Sequence, residues 1–255
     1  MTGLVVFFFI LGATIGSFLN VVIYRLPRDE SIVKPGSRCT ACGNPVSFYD
    51  NIPIVSYVLL RGRCRKCSRK FSPRYALVEA ITGLLFSVCY VRFDLTLDLA
   101  ILLVFLSLLI TVSFIDLDFY IIPDILSLGG IVLGITTSFF RHSFTYTDSI
   151  IGVLIGGGLL YAIAKSYELA RKREGMGGGD IKLLGMIGAF CGWHGVVFSL
   201  VIGSFAGTAV GIPLMIIKRH DTKYALPFGP FLSLGALTYV IVGESVIAWF
   251  FGALG

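Results

Sequence analysis

Acids are scarce in this chain, 15 among 255 residues, yet two groups of them stand at the ends of long apolar runs. The first is Phe114-Ile115-Asp116-Leu117-Asp118 followed by Ile122-Pro123-Asp124. The second is Gly175-Met176-Gly177-Gly178-Gly179-Asp180-Ile181-Lys182. A carboxylate at a membrane boundary is costly to bury, so each is a functional candidate. Two carboxylates sharing one proton can hydrolyse a peptide: one takes a proton from water while the other donates a hydrogen bond to the carbonyl oxygen. Their separation along the chain is immaterial if both reach the same depth. On residue type and position alone, Asp116, Asp118 and Asp124 are nearly equal partners for Asp180. Gly177, Gly178 and Gly179 permit positive φ and leave room for an extended peptide beside the acid. The plainer reading makes Asp180 the N-cap of a helix after a flexible linker.

A second chemistry resides in Cys39-Thr40-Ala41-Cys42 and Cys64-Arg65-Lys66-Cys67, two Cys-x-x-Cys pairs 21 residues apart. Four thiolates at this spacing match a closed, tetrahedral and therefore structural zinc site. Nearby Arg and Lys favour the thiolate form, and disulfides do not suit a reducing cytoplasm. Cys89 and Cys191 lie in apolar runs and read as packed core.

The elements that must position these groups are membrane helices. The chain is 56% hydrophobic and 14% charged, against roughly a quarter charged in a soluble domain. Its unbroken apolar runs indicate helices rather than a barrel. The fold class expected is an all-α polytopic membrane protein of about eight transmembrane helices with a small cytoplasmic zinc-binding loop domain. Its parts are a first helix (residues 1–24), a four-cysteine zinc loop (25–75) and a seven-helix core (76–255). Helix three is expected over 99–115, helix four over 125–140 and helix five over 150–167. Residues 183–217 would make about 52 Å of helix, too long for one core of roughly 30 Å, so two passes turning near Gly192-Trp193-His194-Gly195 are expected. Helix eight should end near Phe251. Gly12 and Gly16, Gly152 and Gly156, and Gly203, Gly207 and Gly211 are packing stripes.

The net charge of +6 speaks of topology, not nucleic acid. With eight passes, 19 of 21 Lys and Arg residues fall on one side, all but Arg92 and Arg141. That side is the cytoplasm, which leaves both termini outside. No cleavable leader is expected, because the basic residues follow the first apolar run rather than precede it.

Taken together, the segments resemble a known family. Gly16-Ser17-Phe18-Leu19-Asn20-Val21-Val22-Ile23-Tyr24-Arg25-Leu26-Pro27, the paired Cys-x-x-Cys loop, Ser72-Pro73-Arg74-Tyr75, Leu77-Val78-Glu79, Phe114-Ile115-Asp116 with Pro123-Asp124, the glycine-rich segment through Leu184, and Pro227-Phe228-Gly229-Pro230 occur in the order found in the type 4 prepilin peptidases. These are bifunctional prepilin leader peptidase/N-methyltransferases, membrane aspartic proteases of the Gly-x-Gly-Asp type. The resemblance implies that Asp116 and Asp180 are the catalytic pair, and that Asp118, Asp124, Gly177, Gly179 and Lys182 support them. It implies cleavage of a basic leader after Gly, on the cytoplasmic face of a bacterial inner membrane, from type IV prepilins or type II secretion pseudopilins. It further implies N-methylation of the new terminus with S-adenosylmethionine, for which no signature residues are evident. Phe119 stands where many relatives carry His, a residue that is not part of the catalytic pair.

A transporter or channel using these acids as a cation or proton relay is the competing reading. Relays favour mid-membrane acids and broken helices in corresponding halves, whereas these acids crowd one boundary. Glu244 reads as an acid near the outer headgroups. His142, His194 and His220 fall in different loops and make no metal cluster.

Overall fold

The computed structural model describes residues 2–141, 144–171, 177–218, 226–243 and 245–246. The first helix, α1 (Thr2–Arg25), is an apolar run free of proline, and it closes at a 3-10 turn over Leu26–Arg28 that contains Pro27. Asp29 then takes a left-handed conformation, φ 56°, which stops the helix. Beyond the loop come the short α2 (Val55–Leu59) and then α3 (Arg74–Phe93), entered through Pro73. The expected stripe on α1 is its contact with α3: a Cβ at Gly12 would lie 2.6 Å from the Thr82 carbonyl, and one at Gly16 would lie 2.8 Å from Glu79 Cα. Only the absence of side chains lets the two backbones approach so closely. Phe8 stacks on Tyr90 at 4.7 Å, and Asn20 donates to the Tyr75 carbonyl at 3.0 Å. Large apolar residues such as Ile10 and Leu84 point outward, as lipid-facing positions do.

The helix α4 (Leu97–Phe119) carries the chain from one compact unit, Met1–Thr111, into a second, Val112–Gly255. It runs past the expected end at residue 115, because a charge ends an apolar count without ending backbone hydrogen bonding. Tyr120, at φ 57°, closes it by donating to the Asp116 carbonyl at 2.9 Å. Asp116 and Asp118 therefore lie inside the helix.

The second unit contains α5 (Asp124–Ser138), α6 (Tyr146–Arg171), α7 (Gly178–Lys218) and α8 (Gly229–Thr238), the last continued by a π turn over Tyr239–Gly243. The long α7 is broken where the sequence suggested, at Gly192, with φ 66° and ψ −173°. Its first half packs on α6 through Gly152 and Gly188, whose backbones are in direct contact. The second half packs on α8: a Cβ at Gly203 would lie 2.9 Å from the Phe231 carbonyl, while Gly207 and Gly211 sit more loosely against Phe231 and Leu226.

Among the described residues, five helices are long and apolar enough to cross a membrane, and residues 124–138 and 229–243 form shorter apolar helices. Glu244, His142, His220 and the expected end of helix eight lie outside the described residues. His194 is in α7 just past its break, stacked on Trp193, rather than in a loop.

Candidate active site and metal centre

Asp116, in the last turn of α4, is 5% exposed. Its Oδ2 accepts a hydrogen bond from the Gly229 N–H at 3.0 Å. That donor is free because Gly229 begins α8, where the first amides of a helix have no intrahelical acceptor. A helix N-terminus also favours a negative charge. The contact requires glycine, since a Cβ at position 229 would lie 2.7 Å from Asp116 Oδ2 and 3.3 Å from Ile122 Cδ1.

Ile122 also lies beside the other acid. A Cβ at Gly179 would stand 3.0 Å from Ile122 Cβ. One isoleucine thus lies against both the glycine that binds Asp116 and the glycine that precedes Asp180. Asp180 sits in the first turn of α7, half-buried, with its N–H on the Gly177 carbonyl at 3.2 Å. The Asp116 carboxylate is within electrostatic reach of Asp180.

The supporting candidates divide. Asp124, at the start of α5, binds Lys182 Nζ in α7 at 2.6 Å. This pair ties the N-terminal turns of two helices beside Asp180. Asp118 is exposed. Two residues beyond Asp116 on a helix of 3.6 residues per turn, it points to a different face. None of Gly177, Gly178 and Gly179 adopts positive φ, because the last two already belong to α7. Positions 177 and 178 have open space where a Cβ would go, whereas Gly179 is packed.

The four cysteines converge in the first unit. Their sulfurs all lie within 4.8 Å of one another, and Cys39 Sγ is 3.8 Å from Cys67 Sγ. Sulfurs about 2.3 Å from a tetrahedral zinc are spaced by about 3.8 Å, far beyond a disulfide at roughly 2.05 Å. Each pair is built by the same turn. Cys39 N–H donates to the Asn44 carbonyl and Gly43 N–H to the Cys39 carbonyl, each at 2.9 Å. Cys64 N–H donates to Arg69 and Ser68 N–H to Cys64, again at 2.9 Å. Gly43 and Ser68, the residues after each pair, both have positive φ, 69° and 55°. Isolated antiparallel bridges, Arg38 with Pro45 and Arg63 with Lys70, close the two knuckles. The Asn44 side chain and backbone draw the Cys42 thiol down to about 6. Backbone N–H groups of Cys67 and Lys66 lower Cys64. At Cys67 the Arg69 N–H favours the thiolate, but burial and the adjoining sulfurs outweigh it and push the thiol up to about 11. Four sulfurs gathered this closely suit a divalent cation, which would hold them as thiolates. Cys89 and Cys191 are buried in helices, as packed core.

Residues 103–212 match the type IV leader peptidase family, and residues 10–93 match the bacterial peptidase A24 N-terminal domain. A prepilin leader peptidase/N-methyltransferase of Pseudomonas putida is 33% identical over 94% of this chain and 91% of its own length. The chain belongs to the type IV leader peptidase family. The corresponding protein of Aeromonas hydrophila is 33% identical over 95% of the chain and 92% of itself. That of Myxococcus xanthus (strain DK1622) is 42% identical over 83% of the chain, which spans 63% of the length of that relative. No solved structure matches the chain. Within this family member, the N-terminal match contains both cysteine knuckles, and the peptidase match contains Asp116 and Asp180. The peptidase match ends at residue 212, short of Gly229, whose contact with Asp116 comes from the fold.

Proposed function

We propose that this chain is a membrane aspartic endopeptidase that removes the basic leader of type IV prepilins or type II secretion pseudopilins after Gly, and then methylates the exposed amine. The observation that carries the peptidase reading is the buried Asp116, held by the Gly229 N–H and within electrostatic reach of Asp180. In this reading Asp116 and Asp180 hold one proton and one water between them. One carboxylate takes a proton from the water as it attacks the scissile carbonyl, while the other gives a proton to the developing oxyanion. Collapse of the tetrahedral species breaks the C–N bond, and the leaving amine takes up the proton acquired by the first carboxylate. The open space at Gly177 and Gly178 suits an extended backbone beside Asp180. Lys182 and Asp124 act as positioning residues.

Both acids occupy terminal helical turns, Asp116 at the end of α4 and Asp180 at the start of α7, which suits cleavage at a membrane boundary better than a mid-membrane relay. Residues 25–75 and the acid pair would face the cytoplasm of a bacterial inner membrane, with eight passes and both termini outside. Cys39, Cys42, Cys64 and Cys67 would hold a structural zinc that folds residues 25–75, a segment with little core of its own. The methyl donor is S-adenosylmethionine, whose sulfonium supplies an activated methyl to an amine that gives up one proton.

The test is co-expression of a prepilin with wild type, Asp116→Asn, Asp180→Asn or Asp118→Asn, followed by immunoblotting for leader removal. The first two variants should abolish processing, and Asp118→Asn should retain it in part. Complete processing by Asp180→Asn would exclude the pair.

A further inference from the structure

The segment joining α1 to α3 carries an apolar surface that the peptidase reading does not use. On α2, Val55, Val58 and Leu59 are exposed along one face at helical spacing, Leu59 at 75%, while Ser56 on the opposite side is buried. The 3-10 turn over Phe48–Asn51 exposes Phe48 and Tyr49 as well. Ser56 ties the two pieces together. Its N–H donates to the Ile52 carbonyl at 3.0 Å, and its Oγ donates to the Tyr49 carbonyl at 2.9 Å while accepting the Ile52 N–H at 3.1 Å. The backbone is thus fixed with its large apolar side chains outward, as an interaction surface has them.

The depth at which α2 is held says what covers it. Ile54, the residue before α2, donates its N–H to Glu79 Oε2 at 2.7 Å. Ile54 is kept at φ 62° and ψ −51°, a conformation that a β-branched residue holds only where its surroundings enforce it. The α3 helix has 20 residues, about 30 Å, so it needs its whole length to span a hydrocarbon core. Glu79 lies about 7.5 Å along that helix from Arg74. It also faces Gly16, where a Cβ would lie 2.8 Å from Glu79 Cα, and α1 continues about 14 Å further to Arg25. So α2 starts beside two membrane helices, short of the ends of both. Helical side chains lean toward the N-terminus, which sets α2 at the boundary layer rather than deep in hydrocarbon. Charge agrees with this placement. No acid occurs between residues 51 and 78, and residues 61–70 hold six Lys and Arg. Arg61, Arg63, Lys66 and Arg69 among them are exposed. An apolar face beside a basic run is the pattern of a segment lying in the plane of an anionic lipid surface.

We propose that α2 is an interfacial helix, with Val55, Val58 and Leu59 among the upper acyl chains and the basic run of residues 61–70 on anionic headgroups. The test puts a reporter on that face. Leu59→Trp in the purified full chain is placed in nanodiscs of phosphatidylcholine, with or without bromine on the upper acyl carbons, and the emission it adds over wild type is followed. An interfacial helix lies about 5–10 Å deep, so brominated lipid should quench the added emission by about half or more, and aqueous acrylamide should quench it little. Val58→Trp, on the same face, should behave alike, and it decides if Leu59→Trp fails to fold by elution profile and melting temperature. Phosphatidylglycerol in half of the lipid should lower acrylamide access further, and Arg61→Gln with Arg63→Gln should remove that response. Added emission quenched by acrylamide but not by brominated lipid overturns the proposal, because the face then meets water. Emission that neither quencher reaches overturns it in favour of a protein partner. Indifference to phosphatidylglycerol, or an undiminished response without the two arginines, overturns the assignment of the basic run.

Discussion

Asp116 and Gly229 lie 113 residues apart and meet at 3.0 Å, a carboxylate oxygen on the first amide of a helix. The geometry leaves no room for a side chain, because a Cβ at position 229 would sit 2.7 Å from that oxygen. Gly229→Ala must therefore move Asp116 or push α8 away. We expect prepilin cleavage to fall at least tenfold, about 1.4 kcal/mol of lost transition-state stabilisation, with normal insertion and expression. Cleavage at the wild-type rate by a purified Gly229→Ala enzyme would mean that the contact does not set the acid's position.

The α6–α7 seam gives a prediction about stability. Gly152 and Gly188 bring the two backbones into direct contact, whereas Gly157 on the same helix has open space where a Cβ would go. Gly188→Ala should lower the melting temperature of detergent-purified protein or abolish its accumulation. Gly157→Ala should leave both unchanged. Similar behaviour of the two variants would argue against this packing.

Much of this was legible in the chain, and the rest was hidden for identifiable reasons. The acids were visible because charge ends an apolar run, and the metal centre because two knuckles need only local spacing. The break at Gly192 followed from helix length against membrane thickness. The end of α4 was misplaced because hydropathy registers side chains, while helix termination depends on the backbone, here at Tyr120. The role of Gly229 was invisible within Pro227-Phe228-Gly229-Pro230, since its tight contact exists only once α8 meets α4. The burial of Glu79 was hidden too, because burial of an acid at a helix's polar end cannot be read from its neighbours.

Metal content tests the knuckles. Purified protein should carry about one zinc per chain. Cys64→Ser should lose it and melt at lower temperature, because residues 26–73 have only one short α-helix, α2, and two short 3-10 turns to hold them. Thr40→Ser, between two ligands but not itself one, should retain the metal. Full zinc occupancy in Cys64→Ser would show that the four sulfurs do not form one site.

The Lys182–Asp124 pair separates positioning from chemistry. Its side chains are 36% and 61% exposed, so the 2.6 Å contact is screened by water and salt. Exposed pairs are worth roughly 0.2–1 kcal/mol. Loss of either partner should thus slow cleavage by no more than about fivefold, far less than loss of Asp180. Asp124→Asn and Lys182→Met should each act mainly by loosening the start of α7, so the double variant should be no worse than the poorer single one. The pH profile of cleavage should keep its shape in all three, because neither residue belongs to the pair proposed to share a proton. High salt should narrow the gap from wild type. Complete loss of cleavage in Lys182→Met, or a displaced pH optimum, would instead assign the lysine to the reaction itself, with its ammonium acting on the scissile carbonyl or on Asp180.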